Sequence, residues 1–114
     1  MITSALVLFF LLLVGHWVAD YPLQGDFLSK AKAEGPLQIY HLVAHAGIHG
    51  GMVFLITGSL WLAFAEWTAH TIIDEMKVEK VTNFAVDQTL HIICKIFIVL
   101  LYVVFIHPGL PLIY

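Results

Sequence analysis

Four apolar stretches, at residues 2–19, 39–57, 59–76 and 86–106, take up most of a 114-residue chain. Each approaches the ~20 residues that a helix needs to cross the hydrocarbon core of a bilayer. Lipid offers the backbone no hydrogen-bonding partner, so segments of this kind are helical within it. The composition agrees: 61% hydrophobic and 11% charged residues is not the balance of a water-soluble domain of this size. The expected fold is all-α, a polytopic membrane protein in which one domain, 1–114, is an antiparallel bundle of four transmembrane helices. The first stretch lacks a positively charged n-region and a small-x-small cleavage site, so it is expected to remain as a span.

The connections carry the orientation signal. Lys30 and Lys32 follow the first stretch and Lys77 and Lys80 follow the third, whereas the 56–60 turn and both ends carry no Lys or Arg. By the positive-inside rule, loops 20–38 and 77–85 are expected on the cytoplasmic side of the membrane and both termini outside. "ITGSL" at 56–60 is so short that stretches two and three form a tight hairpin. "DFLSKAKAE" in the first loop reads as a short interfacial helix, and the prolines of "HPGLPLIY" end the fourth helix. The single cysteine, Cys94, lies within the fourth stretch. It excludes a disulfide and reads as a small buried apolar residue.

Against this apolar background, the ionisable residues fall at intervals of four. His16 and Asp20 mark the first stretch; His41, His45 and His49 the second; Glu66, His70 and Asp74 the third; Asp87, His91 and Lys95 the fourth. Residues four apart share one helical face, so each helix carries one polar stripe. In the hairpin, residues at equal depth have numbers with a constant sum, which aligns His41 with Asp74, His45 with His70 and His49 with Glu66. All stripes occupy the lysine-loop side. Three layers are expected: Asp20, His41, Asp74 and Asp87 outermost; His16, His45, His70 and His91 in the middle; His49, Glu66 and Lys95 deepest. Any one of these histidines is ordinarily a hydrogen-bonded core residue, and an aspartate near the interface a cap or a solvated group. Eleven on matching faces form a polar pit, and a charged Glu66 or Lys95 near mid-membrane requires a partner.

Neutral imidazoles and carboxylates are ligands for divalent ions, and helical bundles build such sites from inward-facing residues on several helices. The expected ligands are His16, Asp20, His45, His49, His70, Asp74, Asp87 and His91, holding one or two divalent ions. With no thiolate ligand, zinc is favoured, with manganese or iron as alternatives. Haem is excluded because the histidines are crowded and interleaved with acids.

The motifs "HWVADYPLQ" (16–24), "EWTAHTIIDEMK" (66–77) and "DQTLH" (87–91), with the histidines of the second stretch, resemble the pattern of an uncharacterised family of small four-helix membrane proteins from bacteria and their phages. That family is distantly similar to inner-membrane metal-dependent hydrolases. The resemblance spans nearly the whole chain and implies a metal-site membrane protein without naming a substrate. Its pattern adds Gln24, Lys77 and Gln88 to the histidines and acids above.

The expected function is thus a metal-dependent hydrolase acting at the cytoplasmic face on a phosphate-bearing or lipid-linked substrate. Glu66 or a spare aspartate would be the general base and Lys95 or Lys77 an anion clamp; for Lys95, pairing with Glu66 is the favoured reading. His41 is expected at the edge of the site. A divalent-metal or proton carrier is the first rival, although the outer halves of the helices continue no polar stripe across the membrane. A non-enzymatic membrane interaction protein is the second. The bilayer is the expected partner, a homo-oligomer is left open, and nothing resembles a nucleic-acid footprint.

Overall fold

A computed structural model describes residues 2–113; Met1 and Tyr114, the outermost residues of the expected domain, lie outside the described residues. The elements are α1 (Ala5–Asp20), α2 (Gly25–Ala31), α3 (Gln38–Thr57), α4 (Leu60–Val78) and α5 (Phe84–Leu101), with a π-helical turn over Tyr102–Ile106. There is no strand among the described residues. The boundaries follow capping chemistry. Ser4, Ser59 and Asn83 accept from the backbone N–H groups of Val7, Leu62 and Val86, three residues into α1, α4 and α5, relieving amides that have no partner within the helix. Gly58 closes α3 in the left-handed conformation, φ 70°, which glycine adopts without the penalty of a Cβ.

α3 and α4 form the hairpin, α1 packs on α3 and α5, and α5 returns to α4, so the four long helices close into a ring. The molecule is a narrow body of 47 × 23 × 22 Å. At one end Leu8, Leu12, Val53, Leu62, Ile98, Tyr102 and Leu110 form a continuous apolar core. The chain after the π-helical turn folds back over this end, where the Pro111 and Leu112 carbonyls accept from the Ala5 and Leu6 amides at 2.8 and 3.1 Å. The opposite end is polar inside.

Among the described residues, two helices are long and apolar enough to cross a membrane: Gln38–Thr57 and the continuous Phe84–Ile106. α1 meets the same standard only together with α2, from which it is bent by 86°. α1 alone has 16 residues, and α4 carries Glu66, Asp74, Glu75 and Lys77 within its 19. The first and third expected spans are therefore helices whose length or polarity falls short by composition. The short helix expected within "DFLSKAKAE" is α2, which begins one residue earlier, at Gly25.

Candidate metal centre

The stripes converge. His16, His45, His49, Glu66, His70, Asp74, Asp87, His91 and Lys95 are all buried, and the Asp20 side chain keeps 22% of its surface. Asp20 lies between α1 and α3: its Oδ2 is 3.1 Å from His16 Nε2, and its Oδ1 is 2.9 Å from His49 Nε2 and 3.6 Å from His45 Nε2. Asp74 plays the same part between α3, α4 and α5. Its Oδ2 lies 3.3 Å from His45 Nε2 and 3.6 Å from His70 Nε2, while its Oδ1 lies 3.1 Å from His91 Nε2. Deepest are Glu66 and Lys95, paired at 2.5 Å, with the same Glu66 oxygen 3.1 Å from His70 Nδ1. His49 stacks on His70 with ring centroids 3.7 Å apart, and His70 stacks on His91 at 4.2 Å.

The three expected layers are offset rather than level. His49 meets His70 and Asp20 instead of Glu66, and Asp74 meets His91 and His45 instead of His41. The Cα–Cβ bonds of a helix lean toward its N-terminus. α3 and α5 begin at the polar end, so their side chains lean outward; α1 and α4 finish there, so theirs lean inward. Each α3 or α5 residue therefore meets an α1 or α4 residue nearer the mouth than equal depth implies. His41 takes no part in the cluster: half-buried, it packs edge-on against Phe27 and Tyr40.

Much of this cluster lacks hydrogen-bond partners. His45 Nδ1 and Nε2, His70 Nε2, His16 Nδ1, His91 Nδ1, Asp87 Oδ1 and Glu66 Oε2 are buried without one. His45 Nε2 is within 3.6 Å of both Asp20 and Asp74 yet makes a hydrogen bond to neither. Orphaned buried polar atoms cost about 1–3 kcal/mol each, so their concentration here requires an explanation. Donor atoms around a tetrahedral ion at ~2.1 Å stand about 3.4 Å apart, close to the 2.9–3.6 Å separations around Asp20 and Asp74. Three overlapping sets bring one ligand atom per residue within 4.8 Å of one another: Asp20, His45, His49 and His70; His16, His70 and His91; and Asp74, Asp87 and His91. The cluster thus contains buried His/Asp groups able to hold a metal ion.

Above it opens a cavity of about 150 Å³, lined by Asp20, Asp74, Asp87 and His91 on its floor and by Gln24, Lys32, Lys77 and Gln88 around its rim. Gln88 Oε1 lies 3.4 Å from His16 Nε2, and its amide donates to Asp87 Oδ2 at 3.1 Å. The Gln24 amide donates weakly to the Asp20 carbonyl at 3.4 Å. Lys77 stands 3.9 Å from Asp87 Oδ2 and 5.3 Å from the centre of the Phe84 ring. Lys32, just past the end of α2, reaches Asp74 Oδ2 at 3.2 Å. Helical spacing gave no signal for Lys32, because a bend and a second helix separate it from the stripes. Lys95 pairs with Glu66, the arrangement favoured from the sequence over an anion clamp, and neither lines the cavity.

Fold and site together define a class: a small all-α protein, with two helices apolar enough for a membrane, enclosing a His/Asp cluster of metal-ligand character beneath a basic rim. The chain belongs to the family described as "Protein of unknown function (DUF3307)", whose model matches residues 8–110 and so takes in every residue of the cluster. Nothing among curated proteins or solved structures matches it.

Proposed function

We propose that this protein is a membrane-embedded, metal-dependent hydrolase acting at the cytoplasmic face on a phosphate-bearing or lipid-linked substrate. The observation that carries the reading is the set of unpartnered imidazole and carboxylate atoms beneath a cavity rimmed by Lys32 and Lys77. All four long helices would cross the bilayer, since Glu66 and Asp74 of α4 are buried within the ring and Glu75 and Lys77 stand in its last turn, at the polar end. By the positive-inside rule, the lysine-bearing loops would lie on the cytoplasmic side of an inner (cytoplasmic) membrane and the termini outside.

One or two divalent ions, zinc by preference and manganese or iron otherwise, would be held by His45, His49, His70, His91 and the three aspartates, with His16 alongside. When bound they supply a Lewis acid and an activated water near neutral pH. The protein's own groups do the rest. Glu66 accepts from His70 Nδ1–H, which leaves the Nε2 lone pair facing inward, and Lys95 neutralises Glu66. Asp20, the most accessible carboxylate of the cluster and one that lines the cavity, would ligate through Oδ1, beside His49, which leaves Oδ2, beside His16, better placed than the sealed Glu66 to take a proton. Lys32 and Lys77 would hold a phosphoryl anion, with Gln24 and Gln88 donating to its oxygens. The carrier alternative lacks support of this kind, because the far half of the ring is filled by Leu8, Leu12, Val53, Leu62 and Ile98.

The test is release of inorganic phosphate from short-chain phosphatidic acid and soluble phosphoesters in mixed micelles, after chelation and readdition of zinc or manganese. Metal-dependent turnover that H45A and H70A abolish is expected. Metal-loaded protein that cleaves no phosphoester but takes up the ion in sealed vesicles would replace the hydrolase by the carrier.

A further inference from the structure

We infer that the cluster is a two-ion centre in which the Asp74 carboxylate bridges the ions, an inference that rests on the metal-binding reading above. Two of the candidate ligand sets share no residue: Asp20, His45, His49 and His70 on one side, Asp74, Asp87 and His91 on the other. Among the described residues, Asp74 alone has its two oxygens facing both. Oδ2 looks toward His45 Nε2 and His70 Nε2 at 3.3 and 3.6 Å, and Oδ1 toward His91 Nε2 at 3.1 Å. A carboxylate used through both oxygens holds two ions about 3.5–4 Å apart, the separation of binuclear hydrolytic sites.

A single ion leaves part of the site unexplained. In the first set it answers one nitrogen each of His45 and His70, yet Asp87, 2% exposed, keeps Oδ1 buried without a partner, 3.6 Å from His91 Nε2. In the second set it answers Asp87 and leaves both nitrogens of His45 orphaned. Charge admits the second ion when an anion comes with it. With Glu66 and Lys95 cancelling, Asp20, Asp74 and Asp87 carry three negative charges and Lys32, on Asp74, one positive charge. Two divalent ions leave a net positive charge, which a hydroxide or phosphoryl oxygens offset. Lys32 reaches the Oδ2 atom of Asp74 from the rim, so its ammonium stays on the outer lone pair of the bridge or turns to a bound anion.

Manganese is the probe. Full-length protein purified without a chelating tag, stripped, loaded with Mn²⁺ and freed of excess ion is examined by elemental analysis and electron paramagnetic resonance. Two ions per chain with an exchange-coupled spectrum are expected. D87N, which removes a ligand from the second set alone, should keep one ion and show an isolated six-line signal, as should H45Q from the first set; circular dichroism checks that both variants remain folded. One ion per chain in the unaltered protein, or two giving independent six-line signals, overturns the bridge while leaving the metal reading intact. No bound manganese, zinc or iron at all overturns both.

Discussion

Glu66 and Lys95 are 1% and 2% exposed and in contact at 2.5 Å, near the middle of the long helices. Lys95→Met removes the ammonium but keeps a similar volume, leaving Glu66 with only His70 Nδ1, 3.1 Å away. Breaking a buried pair by removing one partner costs about 3–5 kcal/mol, because the remaining charge is stranded. With ordinary domain stability at about 5–15 kcal/mol, this variant should lose a large part of its folding free energy. Glu66→Gln alone strands the ammonium and should cost a similar amount. The double variant E66Q/K95M strands nothing and keeps a side chain able to accept from His70, so it should fall within about 1–2 kcal/mol of the starting protein, for a coupling of several kcal/mol. Reversible unfolding in mixed micelles, followed by circular dichroism across the four proteins, reads these values. A cost below about 1 kcal/mol for K95M, or a double variant as damaged as the sum of the singles, would refute the buried ion pair.

The same double variant should bind zinc or manganese about 10–100-fold more weakly in competition titrations, because the partner that sets the His70 tautomer is no longer an anion. At Gly50 an added Cβ would sit 2.9 Å from the Ala63 carbonyl oxygen and 3.1 Å from Trp67 Cβ, whereas at Gly51 it would meet nothing within 4 Å. Gly50→Ala should therefore cost about 1–3 kcal/mol by forcing α3 and α4 apart, and Gly51→Ala should be neutral or slightly stabilising in the same unfolding assay. Ser4→Ala removes the oxygen that accepts from Val7 N–H and should cost about 1 kcal/mol. Lys32→Gln and Lys77→Gln should each weaken competitive binding of inorganic phosphate to the metal-loaded protein about tenfold while leaving metal content unchanged; loss of metal instead would mean that the rim supports the cluster and not the anion.

The stripes were legible because a spacing of four is a geometric property of a helix and needs no knowledge of its neighbours. Hence the inward set His16, His45, His49, Glu66, His70, Asp74, Asp87, His91 and Lys95 could be read from numbering alone, and the hairpin at Gly58 fixed which helices faced each other. The partners within the set were not legible from equal depth. The lean of side chains toward each helix's N-terminus shifts His49 onto His70 and Asp20, and His91 onto Asp74. His41 shared the spacing but lies near the start of α3, where Phe27 of α2 and Tyr40 cover it. Lys32 was hidden for the opposite reason: its place over Asp74 depends on the 86° bend between α1 and α2, a tertiary fact with no periodic signature. The return of the C-terminal segment onto α1 is equally non-local, since "HPGLPLIY" signals only that a helix stops.

X-ray absorption at the metal edge tests the central claim most directly, on tag-free protein purified from cells grown with zinc, manganese and iron together. The account predicts stoichiometric metal with a first shell of nitrogen and oxygen only, about 2.0–2.2 Å away for zinc, and multiple scattering from several imidazoles, all lost together in an H45A/H70A double variant that still folds. Protein that emerges folded and metal-free from such cells, or metal in a shell of water or sulfur without imidazole, would contradict it.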